Sequence, residues 1–338
     1  MHVYRLRTLG NLGGLALLEE DVPVPKPTEI VLHVRAMSIN RRDAMIMDGT
    51  YPLPARFDVI PLSDGAGEVV AVGGSVTRFK IGDRATGSYW PRWRDGLLTP
   101  DLVDQLGCTM DGMLAEYAVL DEQSAVHVPE HLTWEEAATL TCAGVTAWSA
   151  VAESRPMHPG QTVLTLGTGG VALFALQFAK MMGCSVIAAT SREAKIGKLR
   201  DLGADHVIDC ARTPQWADTV RDLTGGRGVD LVVETIGPKT IGQSLAAAGL
   251  YGHIVLLSVI DSDGNGLALP GQVYSSTMAS LSRVFVGSRA GLEAMCAAIG
   301  GHKMRPVIDR VFPFLEAREA YRHFMGGDVF GKVVIRAA

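Results

Sequence analysis

The run TVLTLGTGGVALFALQFAK, Thr162 to Lys180, places a glycine cluster where a strand hands over to a helix. Gly167, Gly169 and Ala172 fit G-x-G-x-x-G/A, a spacing suited to a dinucleotide pyrophosphate. The first glycine allows a tight turn, the second lets the backbone approach the phosphates, and the small third residue lets helix and strand pack closely. Amides at the helix start, at Gly170 and Val171, then face the anion together with the positive end of the helix dipole. About twenty residues beyond the first glycine, an NAD-specific site carries a carboxylate for the ribose hydroxyls. Here that place is Thr190, followed by Ser191, Arg192 and Lys195. Hydroxyls and cations welcome a 2′-phosphate and no carboxylate repels it, so these residues point to NADP(H) rather than NADH. A second stretch, SYWPRWRDG (Ser88 to Gly96), groups Tyr89, Trp90 and Trp93 in a chain with only 6% aromatic residues. Trp90 and Trp93 are expected to line a pocket for a flat or apolar substrate.

Strand and helix patterns alternate around the glycine motif. TVLTLG, SVIAAT (Ser185 to Thr190), HVID, DLVVETIG, HIVLLSV and RVFVGS (Arg283 to Ser288) read as six strands separated by helical segments. That order indicates βαβ units and one parallel, doubly wound sheet. The first 125 or so residues read differently, with EIVLHVRAMSIN, GEVVAVG, DRATG and LAEYAVLD as short strands and little helical pattern. After Ser288 a helix pattern, AGLEAMCAAIGG, leads to the strand-like VIDRVFPF and GKVVIRAA, which complete this mainly β domain.

The 338 residues are enough for two domains, and 47% hydrophobic with 20% charged residues is ordinary for a globular protein. A net charge of −5 with scattered Lys and Arg argues against a nucleic-acid surface. The N-terminal MHVYRLRTLG places charges where a signal peptide needs an apolar run, and no segment suits a membrane span. Five dispersed cysteines without a C-x-x-C pair suit a reducing compartment, so the cytoplasm is expected.

PLSDGAGEVVAVGGSVTRFKIGDRA (Pro61 to Ala85), the glycine fingerprint, LRDLGADHVID and FGKVVI together resemble the medium-chain dehydrogenase/reductase superfamily, in order and across nearly the whole chain. SINRRDAMIMDGTYP and FVGSR are similar to its zinc-independent quinone oxidoreductase and NAD(P)-dependent alcohol dehydrogenase-like branch. The resemblance implies a GroES-like catalytic domain (1–127 and 289–338), a Rossmann NADP(H)-binding domain (128–288) and a substrate cleft between them. It also implies cofactor contacts. Arg41 and Lys332 match cations at the pyrophosphate, and Thr146 matches a threonine behind the nicotinamide. The segment Glu234 to Gly237, Leu257 with Ser258, and Val286 with Gly287 match strand ends whose backbone meets ribose and carboxamide. A homodimer through the last strand of the cofactor sheet is expected, because that strand is otherwise unpaired on one side; sedimentation at more than one 36.0 kDa chain is the check.

Zinc-dependent members of this superfamily use Cys, His and Cys ligands. The corresponding positions here are Asn40, Ser63 (with Asp64 beside it) and Cys142, and the structural-zinc region offers Cys108 alone. No zinc is expected, with Cys142 a small buried residue. Without a metal, substrates that spread developing charge themselves need the least help, which points to quinones and α,β-unsaturated carbonyls. Asn40 is expected to hydrogen-bond the substrate oxygen. The proton comes from Tyr51, Asp43 or water, and Arg42 stands where zinc enzymes carry a relaying hydroxyl. Alcohol or aldehyde oxidoreduction, or cofactor binding without turnover, are the alternatives.

Overall fold

The computed structural model describes residues 1–258 and 266–337. They form two units, Met1–Val145 with Val286–Ala338, and Thr146–Phe285.

In the second unit six parallel strands line up as His206–Asp209, Ser185–Thr190, Thr162–Leu166, Val229–Glu234, Ala248–Leu256 and Ser280–Arg283. Counted along the chain this is the 3-2-1-4-5-6 order of the Rossmann fold. Thr162–Leu166 is buried at every position, which is why it reads as a continuous apolar and β-branched run. The order reverses between Thr162–Leu166 and Val229–Glu234, so their carboxyl ends open the crevice where such sheets bind dinucleotides. Helix Gly170–Met181 follows the glycine cluster directly.

The last strand is Ser280–Arg283, not Arg283–Ser288 as the apolar run suggested. Ser280 and Ser282 are held there by the His253 ring, through contacts of 2.7 and 2.9 Å to its two nitrogens. Beyond Arg283 the chain cannot stay extended, because Val286 adopts a left-handed φ of 65° and Ser288 caps the helix Arg289–His302. The fifth strand runs Ala248–Leu256; Val259, the last residue of the expected HIVLLSV, lies outside the described residues, as does Ala338 at the end of GKVVIRAA.

The first unit is built on the strand Glu29–Ile39, which pairs antiparallel with Asp64–Val72, Tyr117–Asp121 and Lys332–Arg336. Its residues Ile30, Leu32, Met37 and Ile39 are fully buried with Leu62 and Met113 in one core. Two helices absent from the sequence reading, Arg41–Asp48 and Ala317–Met325, belong to this unit. Residues 128–145, joined to the cofactor domain in the sequence analysis, pack here instead. Ser38 Oγ lies 3.0 Å from Ala138 O, and Thr141 Oγ1 lies 2.8 Å from Thr86 Oγ1 and donates to Gly87 O. No helix among the described residues is long and apolar enough to cross a membrane.

Candidate functional site

The glycine turn has the geometry that the motif requires. Gly167 has a φ of 83°, and its N–H donates to Ala189 O across the neighbouring strand (2.7 Å). A side chain at Gly169 would meet only open space, and no side chain caps the helix that starts at Gly170. The amides around Gly170 and Val171 are therefore left for a ligand, and a pyrophosphate fits them. Across the switch point Thr235 Oγ1 donates to Leu166 O (2.8 Å). Glu234, expected among the backbone contacts, uses its buried side chain to shape the turn: it accepts from the amides of Ile236 and Gly237 and from Thr240 Oγ1, each at 2.9 Å, and from Ser244 Oγ. Gly237, at a φ of 92°, approaches Ser258 so closely that a Cβ would lie 2.5 Å from Ser258 O. Leu257 N donates to Glu234 O (3.0 Å), so these strand ends are tied together.

At the end of the second strand Thr190 is buried, and its hydroxyl accepts from Arg192 N (3.2 Å), forming the turn. Ser191 and Arg192 are exposed, and the Arg192 side chain has no hydrogen bond or ion pair among the described residues. Lys195 is only 8% exposed, so it is not a solvent-facing charge like Arg192. Thr146 is buried in a helical stretch that widens into π-turns at Leu140–Gly144 and Ser149–Glu153, an irregularity common at functional sites. Val286 is buried in its left-handed conformation beside Gly287.

The expected catalytic residues lie in the first unit, where Glu29–Ile39 gives way to the helix Arg41–Asp48. Asp43 Oδ2 accepts from Asn40 N (2.8 Å), satisfying an amide at the helix start. The helix could have been found from the spacing Asn40-x-x-Asp43, which places a carboxylate three residues beyond its first cap. Asp43 Oδ1 faces the Arg42 guanidinium at 3.3 Å, and the two side chains are 1% and 6% exposed. Burial raises the Asp43 carboxyl to about 6 despite that cation. Asp43 thus serves both the helix start and the buried ion pair.

Arg42 also donates to Leu106 O (2.8 Å) and Gln105 Oε1 (3.3 Å) and lies over the rings of Tyr51 and Tyr89, 5.5 and 4.8 Å from their centroids. Tyr51 OH lies 2.9 Å from both Tyr89 OH and Gln105 Oε1, and Tyr89 OH lies 3.0 Å from the same Gln105 oxygen. Two hydroxyl protons serve these three contacts, so the Tyr51 proton is already committed within the network. Burial raises the pKa of both phenols. Gln105 is fully buried, and nothing near it in the sequence marked it as a member of this group. From the aromatic loop the structure brings Tyr89 to Tyr51. Trp90, expected to line the pocket, is 3% exposed and packs edge-on against Tyr89. Trp93 is half-buried, with its indole N–H donating to Gly96 O (3.0 Å).

Arg41 is exposed, without a side-chain hydrogen bond or ion pair among the described residues, and remains available to a phosphate. Lys332 does not. Its buried ammonium donates to Ile39 O (3.0 Å), Asn40 Oδ1 and Asp64 Oδ2 (3.2 Å), which uses all three protons. The expected pyrophosphate contact is therefore replaced by an internal one. Asn40 Nδ2 is buried and has no partner. Leaving such a donor unsatisfied costs about 1–3 kcal/mol, which marks it as a place for a ligand atom.

Asn40, Ser63 and Cys142 do not make a zinc site. Ser63 Oγ donates to Asp64 Oδ1 (2.9 Å), and an ammonium already sits on Asn40 and Asp64. Cys142 is partly exposed rather than fully buried, and its close-packed surroundings hold the thiol well above its usual range. Among the described residues no three His, Cys, Asp or Glu side chains come together to hold a metal.

Residues 170–299 match the model of the zinc-binding dehydrogenase family, and residues 26–130 that of the alcohol dehydrogenase GroES-like domain. A zinc-type alcohol dehydrogenase-like protein of Schizosaccharomyces pombe is 39% identical over 329 residues, 95% of either chain. A chloroplastic quinone oxidoreductase of Triphysaria versicolor is 29% identical over 95% of this chain and 94% of its own. A crystal structure of an alcohol dehydrogenase-type protein from Sinorhizobium meliloti superposes with a TM-score of 0.93 at 37% identity, covering 99% of this chain and 98% of that one.

Proposed function

The chain belongs to the medium-chain dehydrogenase/reductase superfamily of oxidoreductases, and from that premise we propose that it is a zinc-independent, NADPH-dependent reductase of quinones or α,β-unsaturated carbonyls. The observation that carries this reading is the buried, unpartnered Asn40 Nδ2 at a position where zinc-dependent relatives hold the metal. A hydrogen-bond donor serves a delocalised enolate or hydroquinone anion, whereas the alkoxide of a saturated alcohol asks for a stronger electrophile. The similarity to a quinone oxidoreductase supports the same substrate class.

The glycine turn and the start of helix Gly170–Met181 would hold the pyrophosphate, and Ser191 with Arg192 the 2′-phosphate. A nicotinamide bound there would supply the hydride. Asn40 then orients the substrate oxygen and stabilises charge on it, and the proton is drawn from the network of Tyr51, Tyr89 and Gln105, with Tyr51 giving up its contact to one of the other two as it donates.

The test is NADPH consumption with a panel of quinones, enones, aldehydes and saturated alcohols. Turnover with a 1,4-quinone or a conjugated enone, and poor alcohol oxidation at neutral pH, are expected. Efficient alcohol oxidation with quinones and enones inert would move the assignment to an alcohol dehydrogenase. No consumption with any acceptor would leave a cofactor-binding protein. For the cofactor, Arg192→Ala is expected to weaken NADPH binding by about 10- to 150-fold, the worth of one charge-assisted phosphate contact, and to leave NADH nearly untouched. Titration of both nucleotides decides it, since equal losses would remove Arg192 from the phosphate.

A further inference from the structure

Asn40 can present either end of its carboxamide, and only one end suits an oxyanion. We propose that Lys332 is a positioning residue that fixes this choice and holds Asn40 Nδ2 ready as the oxyanion donor; the inference rests on the reductive role proposed for Asn40. An ammonium has protons and no lone pair, so the end of the carboxamide facing it must be Oδ1. The structure has that arrangement, with Lys332 Nζ donating to Asn40 Oδ1 and Nδ2 left without a partner. Reversing the amide would set N–H against N–H next to a buried positive charge.

The ammonium is itself held in place. Val333 pairs with Ile39, and Ser38 pairs with Asp64, so the sheet register brings Lys332, Asn40 and Asp64 to neighbouring strand ends. Asp64 is fully buried and balances the charge, and both of its oxygens are engaged, Oδ1 by Ser63 Oγ and Oδ2 by Ser38 Oγ (2.9 Å each) and Lys332. Ile39 O takes the third ammonium proton at 3.0 Å. Hydrogen bonding at Oδ1 by a cation also polarises the carboxamide, which strengthens its N–H as a donor. An internal ion pair thus prepares an electrophilic N–H before substrate arrives, without reorganisation at the moment of reaction.

The experiment uses the full-length protein as Lys332→Met and as Lys332→Met with Asp64→Asn, the second variant removing both buried charges so that neither is left unpaired. NADPH dissociation constants, steady-state kinetics with a quinone, and the Asn40 side-chain NH₂ resonances in selectively ¹⁵N-asparagine-labelled protein are measured. The expected result is an unchanged NADPH dissociation constant, a fall in kcat on the order of 10²-fold, little change in acceptor KM, and Asn40 resonances that shift or broaden. A weakened NADPH affinity with unchanged kcat at saturating cofactor would return Lys332 to the pyrophosphate and overturn the proposal. Asn40 resonances that stay in place would overturn it too. If the unmodified protein reduces no acceptor, the reductase reading fails, and the resonances alone still decide whether Lys332 orients Asn40.

Discussion

Asn40→Ala is expected to lower kcat for a quinone or enone by about 10²–10³-fold, equivalent to about 2.7–4 kcal/mol of lost stabilisation at the developing oxyanion. The size follows from the site's chemistry. With Asn40 Oδ1 already held by the Lys332 ammonium, Asn40 Nδ2 is a buried donor left without a partner. Asn40→Asp is the informative companion, because it keeps an acceptor for Lys332 but removes the N–H. Both variants should bind NADPH normally and lose kcat rather than acceptor affinity. Steady-state kinetics with folding verified by circular dichroism checks this. An Asn40→Asp protein of undiminished kcat would show that the substrate oxygen is stabilised elsewhere.

Arg42→Met is expected to cost about 3–5 kcal/mol of stability, since it strands a buried carboxylate without its counter-charge. It also removes the donors to Leu106 O and Gln105 and the cation over the rings of Tyr51 and Tyr89. The loss depends on pH in a definite direction. The folded pKa of Asp43 is already raised from 3.8 to about 6, so its linkage contribution to stability is fully present below about pH 4 and is lost as pH rises through 6. Without Arg42 the folded pKa rises further, and the penalty extends to higher pH. The gap between variant and parent should therefore be wider at pH 8 than at pH 5, where only the pH-independent loss of the Leu106, Gln105 and ring contacts remains, as read from urea midpoints across that range. A gap independent of pH would mean that Asp43 is not the group left unpaired.

The cofactor half was largely legible because its signals are local. The tight turn at Gly167, the open approach at Gly169 and the apolar run of Gly170–Met181 are steric and periodic properties of neighbouring residues. The strands Ser185–Thr190 and His206–Asp209 came out with the expected ends for the same reason, and Thr162–Leu166 stops one residue short of the run TVLTLG, where Gly167 turns the chain. The last strand did not, because its placement depends on two serines meeting the His253 ring on the neighbouring strand. Local hydrophobicity carries no trace of that pairing.

Asn40 and Tyr51 could be singled out by type and position, but what surrounds them could not. Lys332 reaches Asn40 across 292 residues, and Gln105 reaches Tyr51 across 54. Both contacts exist because strand register and core packing bring distant segments together, and an isolated lysine or glutamine looks the same in a sequence whether it meets solvent, a phosphate or a buried amide. The sequence by itself determined the two domain types, the dinucleotide turn and the absence of the usual zinc ligands at Asn40 and Ser63. Only the tertiary structure decided that Lys332 turns inward to Asp64 and Asn40, that Asp43 balances Arg42, and that Tyr51 shares its proton with Tyr89 and Gln105. The physical reason is burial: once water is excluded, each polar group must find its partner wherever the fold places one, and that search runs across the whole chain.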